Sequence, residues 1–430
     1  MRTFDMTEIH RRSFLQSSLG AAAALSLGSL PLLGCSQSET ASRPLFDAGQ
    51  YEPNTLFLTW QQDPTTTITI QWLAPSSDTS QPIVCTSSPD GPKLSSKSAT
   101  KPYPNTELAV HRCELTGLTP DTEYQFQIGA ADRRYRFRTM PAQATNTIQF
   151  VSGGDSGIGR HALKSNRLAA RQDPHFVLLA GDLAYDNGES PETFTRFLQN
   201  YHAELVDSDG CLIPLLSCLG NHEVADGYNG SRRDSPQYLA LFDGLFAERT
   251  FNVLDFGDYL SLVLLDTNHI APVAGEQTAW LERTLAERQD RPHLIVANHV
   301  PAYPSHREPW SADGKPGTGA SQREHWCPLF EKYKVDVVLE HHDHTFKRTH
   351  PLVNGHFDKH GVVYLGDGSW GKLRVPRTPE ERPYLAAVDK AYHLAVHRLE
   401  GQQAMHVALE DTGKVADVCV TPCKRPAKRG

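Results

Sequence analysis

From Thr55 onward the chain runs in short stretches in which apolar and polar residues alternate: Leu56 to Trp60, Thr67 to Trp72, Leu108 to Cys113, Tyr124 to Ile128 and Tyr135 to Arg138. Successive side chains of a β-strand point to opposite faces. A period of two, broken by Pro, Ser, Asp and Gly clusters, therefore predicts an antiparallel all-β sandwich over residues 51–140. Titratable residues do not gather in it, which gives it a supporting role. Past a linker from Met140 to Asn146 the period changes. Apolar runs at Ile148 to Ser152, Phe176 to Ala180, Ile213 to Leu219, Leu294 to Ala297 and Val335 to Leu339 alternate with amphipathic stretches near 162–171, 192–205, 277–289 and 323–333. Strand-like runs alternating with helical ones predict an α/β domain over residues 146–412. Phe251 to Phe256 turning into Tyr259 to Leu265, and His393 to Leu399 turning at Gly401 into Ala404 to Leu409, read as hairpins, so its sheets are expected to be mixed.

The two ends carry a different text. Ser17 to Leu33 is apolar but shorter than the roughly 20 residues a spanning helix needs. It follows His10-Arg11-Arg12-Ser13-Phe14-Leu15-Gln16, which resembles a twin-arginine export signal, and precedes Leu32-Leu33-Gly34-Cys35, which resembles a lipoprotein cleavage box. Residues 1–34 are thus expected to be a twin-arginine-type signal peptide, with lipid attached at Cys35 and 35–50 a tether. The protein would be exported, as a periplasmic or cell-envelope lipoprotein associated with the membrane. An ordinary signal peptide cleaved nearby is the plainer alternative. Residues 413–430 end in Lys424-Arg425-Pro426-Ala427-Lys428-Arg429 and read as a basic, solvated tail. Among the eight cysteines, Cys85 with Cys113, Cys211 with Cys218, and Cys419 with Cys423 are candidate local pairs in an oxidising compartment.

Composition narrows the function. With 39% hydrophobic residues in 430, the chain can bury sizeable cores. Its 42 Lys and Arg against 50 Asp and Glu leave a formal charge of −8, a poor footprint for holding a polyanion, so bulk nucleic-acid binding is not expected.

The candidate chemistry lies where the predicted strands end, the edge at which α/β sheets bind ligands. Five runs stop at potential metal ligands: Gly154-Asp155-Ser156-Gly157; Gly181-Asp182-Leu183-Ala184-Tyr185; Gly220-Asn221-His222-Glu223; Asn298-His299; and His341-His342-Asp343-His344. Carboxylates, a phenol, an amide oxygen and several imidazoles are the donors a pair of metal ions requires. Two ions can bind a phosphoryl oxygen, acidify a water and stabilise both attacking and leaving oxygens. A rival exists in Gly157-Ile158-Gly159-Arg160-His161-Ala162, which satisfies a dinucleotide-binding pattern with Asp182 where a ribose-binding acid would stand. It leaves Asn221, His222, His299 and His342 to His344 unexplained.

The five blocks in this order resemble those of the purple acid phosphatases, a branch of the calcineurin-like metallophosphoesterases. The sandwich, with Trp60-Gln61-Gln62-Asp63-Pro64, resembles that family's N-terminal domain, and Leu115 to Tyr124 is similar to the tyrosine corner of fibronectin type III domains. The resemblance implies an immunoglobulin-like or fibronectin type III-like sandwich followed by a four-layer αββα metallophosphoesterase domain. It implies a binuclear centre: Asp155, Asp182, Tyr185 and His344 around Fe(III), and Asp182, Asn221, His299 and His342 around a divalent ion (Zn, Mn or Fe), with Asp182 bridging. It implies hydrolysis of phosphate monoesters by a metal-activated hydroxide, with His222 holding the phosphoryl group and protonating the leaving alkoxide, and His306 as a further substrate-side residue. The alternatives are a phosphodiesterase of the same superfamily, or a surface-anchored binding protein with a catalytically weak phosphatase domain. His341 stands where the family has Gly, a place where a side chain would strain the loop or narrow the pocket, and is read as standing behind the ligand residues or facing solvent; Glu223 is expected to support its loop through hydrogen bonds. Arg232 and Arg233 are read as solvated loop residues.

Overall fold

The computed structural model describes residues 52–422, apart from 79, 89 and 311–314. The segments expected to be a signal peptide and a tether, Cys35, and Cys423 of the expected Cys419–Cys423 pair lie outside the described residues. Among the described residues no helix is long and apolar enough to cross a membrane.

The first part is a sandwich of two four-stranded sheets. One runs in the order Phe57–Thr59, Ile68–Pro75, Leu108–Leu115, Ala99–Pro102; the other in the order Leu94–Lys97, Pro82–Thr86, Glu123–Ile128, Arg134–Arg138. The period of two is real: along Glu123–Ile128 half-buried and buried residues alternate strictly. Tyr124 pairs with Phe137 and Phe126 with Tyr135 across the strands, their rings stacked at 5.4 and 5.3 Å. The Tyr124 hydroxyl accepts the Thr119 amide at 2.9 Å, which pins the corner. Strands 82–86, 94–97 and 99–102 are polar enough that the sequence pattern misses them. The thiols of Cys85 and Cys113 face the core from opposite sheets and are free, as are Cys211 and Cys218, so the local pairings expected for these four do not form.

The second part holds two mixed sheets. The six-stranded sheet runs Leu215–Cys218, Val177–Ala180, Ile148–Gly153, His393–Glu400, Gln403–Glu410, Val415–Pro422; the seven-stranded sheet runs Asn252–Phe256, Leu260–Leu264, His293–Ala297, Val337–Glu340, Val363–Gly366, Phe346–Thr349, Leu385–Asp389. In the six-stranded sheet the first three strands are parallel and the last three join antiparallel; in the seven-stranded sheet the strands from Leu260–Leu264 to Val363–Gly366 are parallel, with antiparallel strands at both edges. The sheets meet face to face through Phe176 on Phe256 (5.0 Å) and Phe346 on His393 (5.1 Å). The outer face of the seven-stranded sheet is covered by Trp280, Leu281 and Leu285 of helix Glu276–Glu287 and by Trp326, Cys327 and Phe330. Helices Arg160–Ala170 and Pro191–Glu204 contact each other outside the six-stranded sheet. An all-β domain followed by an α/β domain with mixed sheets is the observed fold.

Two stretches differ from the sequence reading. The basic tail expected from 413 is instead ordered as far as Pro422, because Val415–Pro422 completes the sheet on Gln403–Glu410 and its bonds satisfy what would be a bare edge. The helix expected near 323–333 is two short ones, Ala320–His325 and Cys327–Lys332, divided at Trp326, where Pro328 starts the second.

The sandwich is packed hard onto the α/β part. Trp60 is fully buried, its ring edge-on to Phe176 (6.0 Å) and Phe256 (5.7 Å). Beside it Gln71 donates to the Leu241 carbonyl, and Arg112 reaches the same carbonyl and Asp243 at 3.0 and 2.6 Å.

Candidate metal centre

Five of the seven candidate ligands carry positive φ: Asp155 (59°), Asp182 (54°), Tyr185 (64°), His342 (80°) and His344 (60°). The left-handed region is uncommon for non-glycine residues, so the surroundings must hold each one there. They do so by joining the strand-end loops to one another. The amides of Asp155, Ser156 and Gly157 donate to the carbonyls of Gly181, Asp182 and Leu183, laying the first two loops side by side. Glu223 accepts from the amides of Gly220 (2.7 Å), Asp182 (2.8 Å) and Leu183 (2.6 Å), tying the third loop to the second, as the sequence reading expected of it. The His342 amide donates to Asp155 Oδ2 and the His222 amide to Asp182 Oδ1, both at 2.8 Å. Gly368 shows how close the backbones come: at φ +72°, a Cβ there would stand 1.7 Å from Asp155 Oδ2.

These loops bring all seven candidate ligands together. Asp155, Asp182, His299 and His342 are buried, and each offers a ligand atom within 4.8 Å of the others. Asp182 Oδ1 lies 3.3 Å from His299 Nε2, and His299 Nε2 lies 3.1 Å from His342 Nδ1 and 3.3 Å from Asn221 Oδ1. On the other side His344 Nε2 is 3.0 Å from Asp155 Oδ1 and 3.1 Å from the Tyr185 hydroxyl, itself 3.2 Å from Asp155 Oδ1. Asp182 is therefore no ribose ligand; it stands in the middle of the cluster.

Electrostatics and tautomers fit a cation. His299 Nδ1 meets the Ala180 carbonyl at 3.0 Å, and a carbonyl only accepts, so Nδ1 carries the hydrogen and a neutral ring turns its Nε2 lone pair inward. Burial alone would lower the His299 pKa, but the Asp182 and Asp155 carboxylates outweigh it and push it up to about 9. Burial alone would raise Asp182, but the imidazoles of His299, His222 and His342 hold it below the usual carboxylate range. Asp182 Oδ2 is buried without a hydrogen-bond partner, which is costly in a protein interior. Protons thus stand where cations would neutralise the same carboxylates, and metal binding would displace them. The Tyr185 phenol is pushed well above its ordinary pKa by burial and by Asp155 and Asp182, a charge pattern that a bound trivalent ion would reverse.

His222, half exposed at the mouth, presents its ring to Tyr185 at 4.3 Å. Its Nδ1 bonds Asn187 Oδ1, leaving Nε2 3.9 Å from Asp182 Oδ2; burial lowers its pKa, against the pull of Asp182. His306 is placed differently. Its amide donates to Asp343 Oδ2 and its ring Nδ1 to the Val375 carbonyl, both at 2.7 Å, so it stands at the rim and reaches the cluster only through Asp343. His341 neither strains the turn nor faces solvent; it stands behind the ligand residues, the other position expected of it. Positive φ falls on His342 and His344 instead, while the buried His341 ring packs on Gly154 and donates from Nδ1 to the Asn298 carbonyl. Arg232 turns inward onto the Phe246 carbonyl rather than to solvent.

Three residues escape the sequence reading. Tyr228, whose hydroxyl lies 3.2 Å from His342 Nε2, fixes the ring that offers Nδ1 to the centre. Asn187 orients His222, and Asp343 bonds the amides of His306 and Arg307. Asp343, lying between two candidate ligands, carried a positional signal; Asn187 and Tyr228, on loops, carried none.

Comparison with known proteins agrees with this geometry. Residues 53–139 match the family described as Purple acid Phosphatase, N-terminal domain, and 148–346 match Calcineurin-like phosphoesterase, together about two-thirds of the chain. Purple acid phosphatase 21 of Arabidopsis thaliana is 25% identical over 284 residues, 63% of this chain and 62% of that protein. Acid phosphatase type 7 of Homo sapiens is 27% identical over 349 residues, 72% of this chain and 76% of that protein. The alignments reach only 62% and 53% of the length of two Arabidopsis relatives. The fold is similar to that of purple acid phosphatase PPD1 from yellow lupin seeds, at TM-score 0.71 and 18% identity, covering 85% of this chain and 73% of that one. With both parts matched in order and the strand-end donors gathered in one buried cluster, the chain belongs to the purple acid phosphatase family of calcineurin-like phosphoesterases.

Proposed function

We propose that this protein is an exported, acid phosphatase-like hydrolase of phosphate monoesters, working with a binuclear metal centre. The observation that carries the reading is the buried Asp155, Asp182, His299 and His342 cluster, with an unpartnered Asp182 oxygen inside it. Asp155, Asp182, Tyr185 and His344 would hold Fe(III), and Asp182, Asn221, His299 and His342 a divalent ion such as Zn, Mn or Fe, hard donors facing the harder ion. When bound, the pair supplies Lewis acidity toward phosphoryl oxygens and water.

The chain's own residues do the rest. Ala180, through its carbonyl, and Tyr228 keep two imidazoles turned so that lone pairs face inward. Glu223 holds the second and third loops together so that Asp182 and Asn221 need not reorganise. With Nδ1 occupied by Asn187, His222 holds its mobile proton at Nε2, facing the cluster, where it can bind a phosphoryl oxygen and then protonate the departing alkoxide. His306 at the rim contacts the leaving group rather than the phosphoryl centre. Export through the twin-arginine route and lipid attachment at Cys35 belong to the same proposal, supported by the Arg11-Arg12 and Leu32-Leu33-Gly34-Cys35 texts.

Elemental analysis of the purified protein, its visible spectrum, and hydrolysis of p-nitrophenyl phosphate against its bis ester at pH 5 to 7 test this. About two metals per chain including iron, with preference for the monoester, is the expected result. Preference for the bis ester would make it a diesterase, and absence of metal and turnover after reconstitution would refute the enzyme reading.

A further inference from the structure

Lys372 is held at the centre by three of the residues placed around the first metal. Immediately before it, the Gly371 amide donates to the Asp155 carbonyl at 3.1 Å; two residues after it, the Arg374 amide donates to the His344 carbonyl at 2.7 Å. Between these two anchors the side chain lies across Tyr185, with Nζ 4.0 Å from the ring centroid. Gly157, at φ +66°, leaves room for this: a Cβ there would come 3.3 Å from Lys372 Cε and 3.5 Å from Tyr185 Cδ2. The side chain is half-buried, and among the described residues no carboxylate or carbonyl bonds its ammonium. Arg307, by contrast, is paired with Asp343 at 2.8 Å.

An ammonium has three N–H donors, and a ring face accepts only one direction of them. A half-buried cation with free donors, fixed at both flanks to the backbone of ligand residues, is a preorganised anion site. His222 contacts the same tyrosine ring at 4.3 Å, so the two bracket the phenol that marks one side of the mouth. We propose that Lys372 is a substrate-binding residue whose ammonium takes an anionic oxygen of the phosphate ester, recognising the dianionic phosphoryl group or a second negative charge beside it. The inference rests on the phosphatase reading and adds to it a residue that contributes affinity for the anion. It also predicts that substrates and inhibitors carrying more negative charge depend more on Lys372.

The test uses the metal-containing protein and two variants, Lys372→Met and Lys372→Arg, with calorimetric binding of inorganic phosphate and pyrophosphate alongside p-nitrophenyl phosphate kinetics. Removing one charge-assisted contact should raise the phosphate dissociation constant and KM by about tenfold, and pyrophosphate's dissociation constant by more, with Lys372→Arg recovering most of the loss. Phosphate affinity and KM unchanged in Lys372→Met would overturn the proposal. So would a shift of the visible absorption band without any change in phosphate affinity, since Lys372 would then act only on Tyr185. A metal-loaded wild type that neither binds phosphate nor hydrolyses the ester would overturn the phosphatase reading itself, and is seen before either variant is made.

Discussion

The inner face between the two sheets carries buried imidazoles that should limit the protein's stability in acid. His406 pairs Nδ1 to Nδ1 with His397 at 2.7 Å and reaches the Thr421 hydroxyl through Nε2 at 2.8 Å; His393 is held on Ser369. Burial pushes His393 and His406 down from 6.5 to about 3, with His341 adding to the first and His293 to the second, and pushes His397 well below its ordinary value. An imidazole whose folded pKa lies below its unfolded one takes up a proton only on unfolding. Stability is therefore intact above pH 6.5 and is lost as pH falls through 6.5 toward 3, at about 1.4 kcal/mol per pH unit for each such group. At pH 5 each costs about 2 kcal/mol, a large share of an ordinary domain's margin of about 5–15 kcal/mol. His406→Gln removes one titrating group and keeps a donor for Thr421, at a pH-independent cost of about 1–3 kcal/mol for the lost His397 partner. Urea unfolding of both proteins from pH 8 to pH 4 measures the difference. The variant's stability should fall less steeply below pH 6.5, the two curves converging by about 1.4 kcal/mol per unit. Parallel curves would show that His406 takes up its proton equally in the folded and unfolded protein and refute the argument.

Tyr185→Phe should abolish visible colour while keeping the fold and part of the metal content; a variant that retained the wild-type absorption band would remove Tyr185 from the iron. Gly368→Ala should lose metal and activity together with little change in far-ultraviolet circular dichroism, because its Cβ would overlap Asp155 Oδ2 at 1.7 Å and its φ is +72°. Trp60→Ala should destabilise the protein by about 3–5 kcal/mol, measured by urea midpoint, since its ring fills the junction between sandwich and sheets. A smaller loss would mean that the junction collapses onto the gap.

Local periodicity and donor chemistry were legible in the chain itself. Alternation in Glu123–Ile128, apolar runs such as Leu294 to Ala297, and the Asp, Asn and His residues that stop each run gave the two-part fold and the strand-end donor set, because each depends on neighbours within a few residues. Only the tertiary structure decided what lies between distant segments. Strand Val415–Pro422 exists because Gln403–Glu410 offers it an edge, though its own text reads as a tail. Whether His341 stands behind the ligands or faces solvent is decided by Gly154, nearly two hundred residues earlier, which makes the space for its ring. Lys372 is one of fourteen unremarkable lysines to a reader of the chain, and becomes a site residue only when the amides on either side close onto Asp155 and His344. Sequence spacing fixes which donors a strand end can present; orientation, tautomer and charge compensation arise from contacts between chain segments, and these only the folded packing supplies.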